Sequence, residues 1–286
     1  MIDTDSGVQV LDLALPSGRL HAERRGPQDG PLVIGVPGIT ANLRSFDALA
    51  PVLARAGLQV LVLDLRGRGH SEVTPQGTYG WPAHARDIAA VADALGVERF
   101  DVVGYSMGGF VGMQLAADFP DRVRRLITVD ALGAPEPESL PPIMAASQRL
   151  GVVFPDAATY VATVRSSAAI EQWGDLWQGH YEYELQDAPG GGVISRTSRD
   201  AAAEDGAYGA MAVATLPELW SRIACPVLLV RAARPIVPGA GYIVPAADRD
   251  RLGTLIPGAR SVEVDANHYG IIAHPGAAAA ILEFLT

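Results

Sequence analysis

The sequence predicts an α/β chain: a mostly parallel sheet flanked by helices, with a helical cap inserted into it. Three observations predict it. Six short runs rich in Val, Ile and Leu recur along the chain, near-continuously apolar as strands buried on both faces are. Helix-like stretches separate most of them, the alternation that produces right-handed βαβ crossovers. One connection, roughly 95 residues between RLITVD and CPVLLV, far exceeds a strand-to-helix loop and must hold structure of its own.

Taken in order, VQVLDLAL (8–15) and LHAERRG from Leu20 alternate around the turn PSG and predict an antiparallel pair. The buried runs follow: PLVIGV (31–36), LQVLVLDL (58–65), FDVVGY (100–105), RLITVD (125–130), CPVLLVRA (225–232) and SVEVDA (261–266). Helices are expected over about 42–56, 81–95, 107–118, 246–256 and 275–285. The long connection holds the helix-like AAIEQWGDLWQGHYEYEL (168–185) and the turn PGGG (189–192). Residues 1–133 and 216–286 are therefore expected to form the core domain, and 134–215 a helical cap over it.

A chain of 286 residues can bury a large core without disulfides, and 49% hydrophobic with 19% charged residues describes an ordered globular protein. The formal charge of -10, with no Lys/Arg cluster, argues against a nucleic-acid partner. Cys225 is the only cysteine, so no intramolecular disulfide forms; ahead of Pro226 and an apolar run it reads as a buried structural residue. MIDTDSGVQVLDLAL shows no basic segment leading into an apolar one, and no apolar run reaches membrane-spanning length. A cytoplasmic protein without a membrane partner is the expectation. A homodimer is compatible with the sequence.

Gly104-Tyr105-Ser106-Met107-Gly108 has the form G-x-S-x-G between a predicted strand and a predicted helix, the setting of a nucleophile elbow. The turn strains the backbone at the serine, and side chains on its flanks would strike the neighbouring strand and helix, so hydrogen is preferred there. A glycine-rich turn with a capping serine is the plainer alternative.

With VPGIT after the third strand, DLRGRGHSE (64–72) after the fourth, the elbow, FPDRVRRLITVD and NHYG in that order, the chain resembles the α/β-hydrolase family over nearly its whole length. The resemblance implies that fold and a structural role for DLRGRGHSE, which also lacks the Gly-Lys-Ser/Thr of a nucleotide cradle. His21, His84 and His180 have no neighbouring ligand at metal spacing and read as surface or packing residues.

Family order runs Ser, acid, His, which makes the general base a histidine after the last strand. His268 in VDANHYG fits; His274, against Pro275, reads as the start of a helix. The oxyanion hole would take its backbone N–H groups from Met107 and from Ile39. Most relatives have His-Gly where this chain has Pro37-Gly38, but a main-chain donor survives that change.

The acid usually follows the strand written here CPVLLVRA, where this chain has Ala233 and Arg234. Asp130, at the end of RLITVD, is the second position available. This arrangement resembles haloalkane dehalogenases and lactonases acting on zearalenone, in which the triad acid comes from that strand end. Many relatives with an ordinary acid also carry Asp or Asn there as a structural strand end, so Asp248, or a Ser-His dyad, stays open beside Asp130.

A serine nucleophile excludes the dehalogenase and epoxide-hydrolase chemistries of the fold, which use Asp, and points to acyl transfer without cofactor or metal. Trp173, Trp177 and Tyr181, at i, i+4 and i+8, form a stripe on the expected cap helix: packing surface, and in part a candidate apolar pocket lining for a small-molecule ester or lactone. The alternatives are a carbon–carbon bond hydrolase on the same residues and a slow-turnover ligand receptor.

Overall fold

A computed structural model of the chain describes residues 2–3, 7–167 and 169–286. The chain enters through β1 (Ile2–Asp3), β2 (Val8–Leu15) and β3 (Gly18–Arg25). It continues through β4 (Leu32–Val36), α1 (Ala50–Arg55), β5 (Gln59–Leu63), α2 (Trp81–Ala94), β6 (Phe100–Tyr105), α3 (Met107–Asp118) and β7 (Val123–Val129). The long connection supplies α4 (Leu140–Ser147), α5 (Ala157–Arg165), α6 (Asp175–Tyr183), the hairpin β8 (Leu185–Asp187) and β9 (Val193–Ser195), α7 (Arg199–Ala212) and α8 (Leu216–Trp220). Then come β10 (Val227–Ala232), α9 (Ala246–Leu255), β11 (Arg260–Val264) and α10 (Pro275–Leu285).

Nine strands make one sheet in the order β1-β2-β3-β5-β4-β6-β7-β10-β11. The pairs β1–β2, β2–β3 and β3–β5 are antiparallel and all later pairs parallel. Every residue of β4, β5, β6 and β10 is buried, because helices cover both faces. Successive residues serve opposite faces: Ile34 joins the apolar cluster under α2, α3 and α8, whereas Val33 joins the one under α1 and α10. Tyr160, Trp177 and Tyr181 of the long connection extend that second cluster.

Four sequence expectations need correction. SVEVDA is not buried on both faces, since β11 is the sheet edge and four of its five residues are exposed. The helix expected over 42–56 is a 3-10 turn, Leu43–Phe46, followed by the short α1. Pro51 explains the break: it has no N–H to give a preceding turn and sits where a helix starts. Cys225 is half-buried at the entrance to β10.

The stretch 168–185 is helical only over α6, because Gly174 is extended (φ -155°) and caps the helix. Trp173 precedes the helix, and position 168 lies outside the described residues, as do positions 1 and 4–6 of the N-terminal stretch. Among the described residues no helix is long and apolar enough to cross a membrane.

The strand order fixes where chemistry can occur. After β4 the chain steps outward to β5 and then returns to lay β6 on the other side of β4. The connections leaving β4 and β6 diverge and open a crevice at the carboxyl edge, the place where open α/β sheets bind ligands. VPGIT leaves β4 and Ser106 leaves β6 at that crevice.

Candidate active site

Ser106 is the residue between β6 and α3, with φ 54° and ψ -124°. Its N–H donates to Val129 O at 2.9 Å, which ties the turn to β7. A Cβ at Gly108 would overlap the carbonyl of Val36, and one at Gly104 the carbonyl of Gly108. Strand and helix can approach this closely only because both flanks are glycine.

His268 lies in the loop after β11. Its Nε2 is 3.1 Å from Ser106 Oγ and its Nδ1 is 2.8 Å from Asp130 Oδ2. A carboxylate only accepts, so the ring proton sits on Nδ1 and the Nε2 lone pair is free to accept the serine O–H. The loop is held by Asn267, whose Nδ2 donates to Ala169 O at 2.8 Å and whose Oδ1 accepts the Gly270 N–H at 2.8 Å. Tyr105 adds a support that the motif does not signal: its ring stacks on the imidazole at 5.2 Å and its hydroxyl donates to His268 O at 3.0 Å. Burial first, and then the neighbouring Tyr269, Asp130 and Tyr181, push the Tyr105 hydroxyl well above its ordinary pKa, which keeps it a donor.

Asp130 directly follows β7 and is 1% exposed. Its Oδ1 accepts the Ala232 N–H at 3.1 Å while Oδ2 takes the histidine proton. Among the described residues, Ser106 and Asp130 (φ 50°) are the two non-glycine positions with positive φ. Such conformations cost about 1–3 kcal/mol each and persist where the surroundings over-determine them. Here both turn their side chains toward the same histidine.

At the vacant acid position Arg234 pairs with Glu171 at 2.6 Å and Asp265 at 3.2 Å. Asp248 lies in α9 beside Gly133, 3.5 Å from Arg251, and makes no hydrogen bond to His268. His274 caps α10, its Nδ1 accepting the Gly276 N–H at 3.0 Å.

Gly38 backs directly onto the serine, a Cβ there falling 3.2 Å from Ser106 Cβ. Ile39 follows it, and Met107 is the first residue of α3, where backbone N–H groups have no partner in their own helix. Among the described residues neither N–H donates to a protein acceptor. The structure thus brings Ser106, His268, Asp130 and these two free donors together.

Trp177 and Tyr181 are buried, and Trp173 stacks on Tyr181 at 5.7 Å. The stripe is in large part internal packing of the long connection. Of the lone histidines, His84 is fully buried with Nε2 2.9 Å from Asp205 Oδ2, His180 is buried below Trp177, and His21 meets Asp12 at the surface. In DLRGRGHSE, Asp64 accepts the N–H groups of Leu43 and His70, and Arg66 pairs with Asp87. None of these reaches Ser106. Among the described residues no group of three or more His, Cys, Asp or Glu is placed to hold a metal ion.

The sequence pattern of the family described as alpha/beta hydrolase fold matches residues 31–275. A Variovorax paradoxus protein described as a carbamate hydrolase is 36% identical over 120 residues, 42% of this chain and 45% of its own. N-formylmaleamate deformylase of Pseudomonas putida is 38% identical over 112 residues, 39% of this chain and 41% of its own. The chain spans under half the length of these two curated relatives. The crystal structure of E-2-(acetamidomethylene)succinate hydrolase superposes with a TM-score of 0.83 at 25% identity, covering 97% of this chain and 99% of that one.

Proposed function

The chain belongs to the α/β-hydrolase fold family, and from that premise we propose that it is a serine hydrolase cleaving an apolar carboxylic ester or lactone through an acyl-enzyme. The observation that carries the reading is the hydrogen-bonded series from Ser106 Oγ through His268 to Asp130, at 3.1 and 2.8 Å, beside two free N–H groups.

In the first half-reaction His268 Nε2 takes the Ser106 proton as Oγ attacks the carbonyl carbon. The developing oxyanion lies between the N–H groups of Ile39 and Met107. As the tetrahedral species collapses, the imidazolium returns its proton to the leaving alcohol, and the acyl group stays on Ser106. Water then attacks with the same assistance and releases the acid. Asp130 holds the ring in the productive tautomer and stabilises the imidazolium. The segment 134–215 acts as a cap, its aromatic residues giving the site an apolar roof.

A second reading is cleavage of an acyl–nitrogen bond by the same residues. It is favoured by relatives named for a carbamate and for an N-formyl compound. The test is a panel of lactones, linear esters and N-formyl amides, with Ser106→Ala as the blank. Turnover of esters or lactones that is lost in the blank supports the proposal. Turnover confined to the amides selects the second reading, and hydrolysis that survives in the blank removes both.

A further inference from the structure

A backbone donor in a loop stabilises an oxyanion only if it is fixed before charge develops. The loop carrying Ile39 is gripped by two arginines whose counter-charges come from the long connection. Ile39 O accepts from Arg68 Nε at 3.0 Å. Arg68 is fully buried, and its NH2 lies 2.7 Å from Asp205 Oδ2 on α7, a carboxylate equally buried. The Gly80 N–H at 2.6 Å and His84 Nε2 at 2.9 Å hold Asp205 in turn.

The next carbonyl repeats the arrangement. Thr40 O accepts from Arg149 NH2 at 3.2 Å. Arg149, just past α4, pairs through Nε and NH2 with the two oxygens of Glu184, at 3.0 and 3.1 Å. Glu184 ends α6 and is fully buried. Further along the loop, Asn42 Nδ2 donates to His180 O of α6 at 3.0 Å.

We propose that the segment 134–215 is a positioning device for the oxyanion loop, acting through two buried clamps, Arg68–Asp205 and Arg149–Glu184. The inference rests on the reading of Ser106 as nucleophile. Peptide planes are rigid, so the loop can turn only about φ and ψ. Gly38 is pressed against Ser106 at one end, and the carbonyls of Ile39 and Thr40 are gripped at the other. The Gly38 carbonyl, on the same peptide plane as the Ile39 N–H, accepts the Ala41 N–H at 3.2 Å, which restrains that plane as well. Both arginines need a counter-charge to stay buried, and both carboxylates come from the long connection. None of the four side chains touches a reacting atom, so they are positioning residues.

The experiment measures kcat and KM on an aryl ester, and the affinity of a boronic acid that adds to Ser106 as a tetrahedral anion. It compares Asp205→Asn and Glu184→Gln, which keep shape and remove the neutralising charge, with Ile281→Ala. Ile281 is a buried residue of α10 that makes no hydrogen bond or ion pair to the two clamps, and its truncation reports what lost stability alone does. A misplaced donor should lower kcat by about 10- to 100-fold, with KM within about twofold. Boronate affinity should fall by the same factor as kcat/KM, and Ile281→Ala should lower Tm without changing kcat. Should Asp205→Asn not fold, Glu184→Gln carries the test, because Glu184 keeps its contacts with Tyr160 and Ser195.

Folded variants with wild-type kcat and boronate affinity would overturn the inference. So would losses that track Tm as in Ile281→Ala. A fluorophosphonate distinguishes this failure from that of the premise. Wild type labelled at Ser106 beside unaffected variants overturns the clamp alone, whereas unlabelled wild type overturns the nucleophile and the clamp together.

Discussion

Asp130→Asn is the sharpest perturbation of the hydrogen-bonded series. In the wild type, Oδ1 accepts the Ala232 N–H at 3.1 Å and Oδ2 accepts the His268 Nδ1–H at 2.8 Å. An asparagine must keep its oxygen on the Ala232 N–H, since an amide NH2 there would face a donor. Its NH2 group then points at Nδ1, which must give up its proton to accept. The proton moves to Nε2, and the histidine now donates to Ser106 Oγ instead of accepting from it. The side chain keeps its volume and its bond to Ala232, and exchanges the charge-assisted bond to His268 for a neutral one of reversed direction, so the stability cost is about 1–2 kcal/mol. The loss in kcat should be on the order of 10⁴, the effect of the equivalent change in serine proteases, or about 5 kcal/mol in the barrier. Steady-state hydrolysis of an aryl ester and a thermal melt measure the two quantities. Asp248→Asn is the control, its carboxylate lying 3.5 Å from Arg251 and off the histidine. A folded Asp130→Asn enzyme within tenfold of wild type would mean that Asp130 does not set the histidine tautomer, and a crippled Asp248 variant would reverse the assignment.

Gly108→Ala should abolish folding or cost about 3 kcal/mol, because the added methyl meets the Val36 carbonyl and backbone cannot yield; a normal urea midpoint would contradict the packing described at the elbow. Trp177→Ala should destabilise by about 3–5 kcal/mol in the same assay, since the indole is buried against His180 and Tyr181. A variant of unchanged stability would instead place Trp177 outside the core packing. Burial and then Arg149 hold His180 down to about 3 from an ordinary 6.5, so it stays neutral when folded. Below pH 6.5 the unfolded chain takes up a proton that the folded chain refuses, and stability should decline between pH 6.5 and about 3. His180→Leu should flatten that decline in denaturant titrations across the range, and an unchanged slope would mean that the ring is not held neutral.

The buried strands were legible because covering both faces demands continuous apolar runs, and β4, β5, β6 and β10 have them. Ser106 and His268 were legible because each follows a predicted strand in a short motif. Asp130 could be singled out only by the absence of a carboxylate at Ala233 and Arg234. Its positive φ, the feature that turns it toward the histidine, leaves no mark in the sequence, since Asp is a common strand end. The extent of α6 was hidden because Gly174 can cap a helix as readily as interrupt one. The clamps were hidden for another reason: Arg68 and Asp205 lie 137 positions apart in the chain, and Arg149 and Glu184 lie 35 apart. No local pattern marks charges that meet only across the fold.

On the proposed mechanism Ser106 carries the acyl group during turnover. Treating the protein with a fluorophosphonate, and with a slowly hydrolysed aryl ester, followed by peptide mass spectrometry, tests it directly. A single adduct is expected on the peptide containing Ser106, formed in step with the loss of hydrolysis and absent from Ser106→Ala. Hydrolysis that persists in fully labelled protein, or an adduct on any other residue, would contradict it.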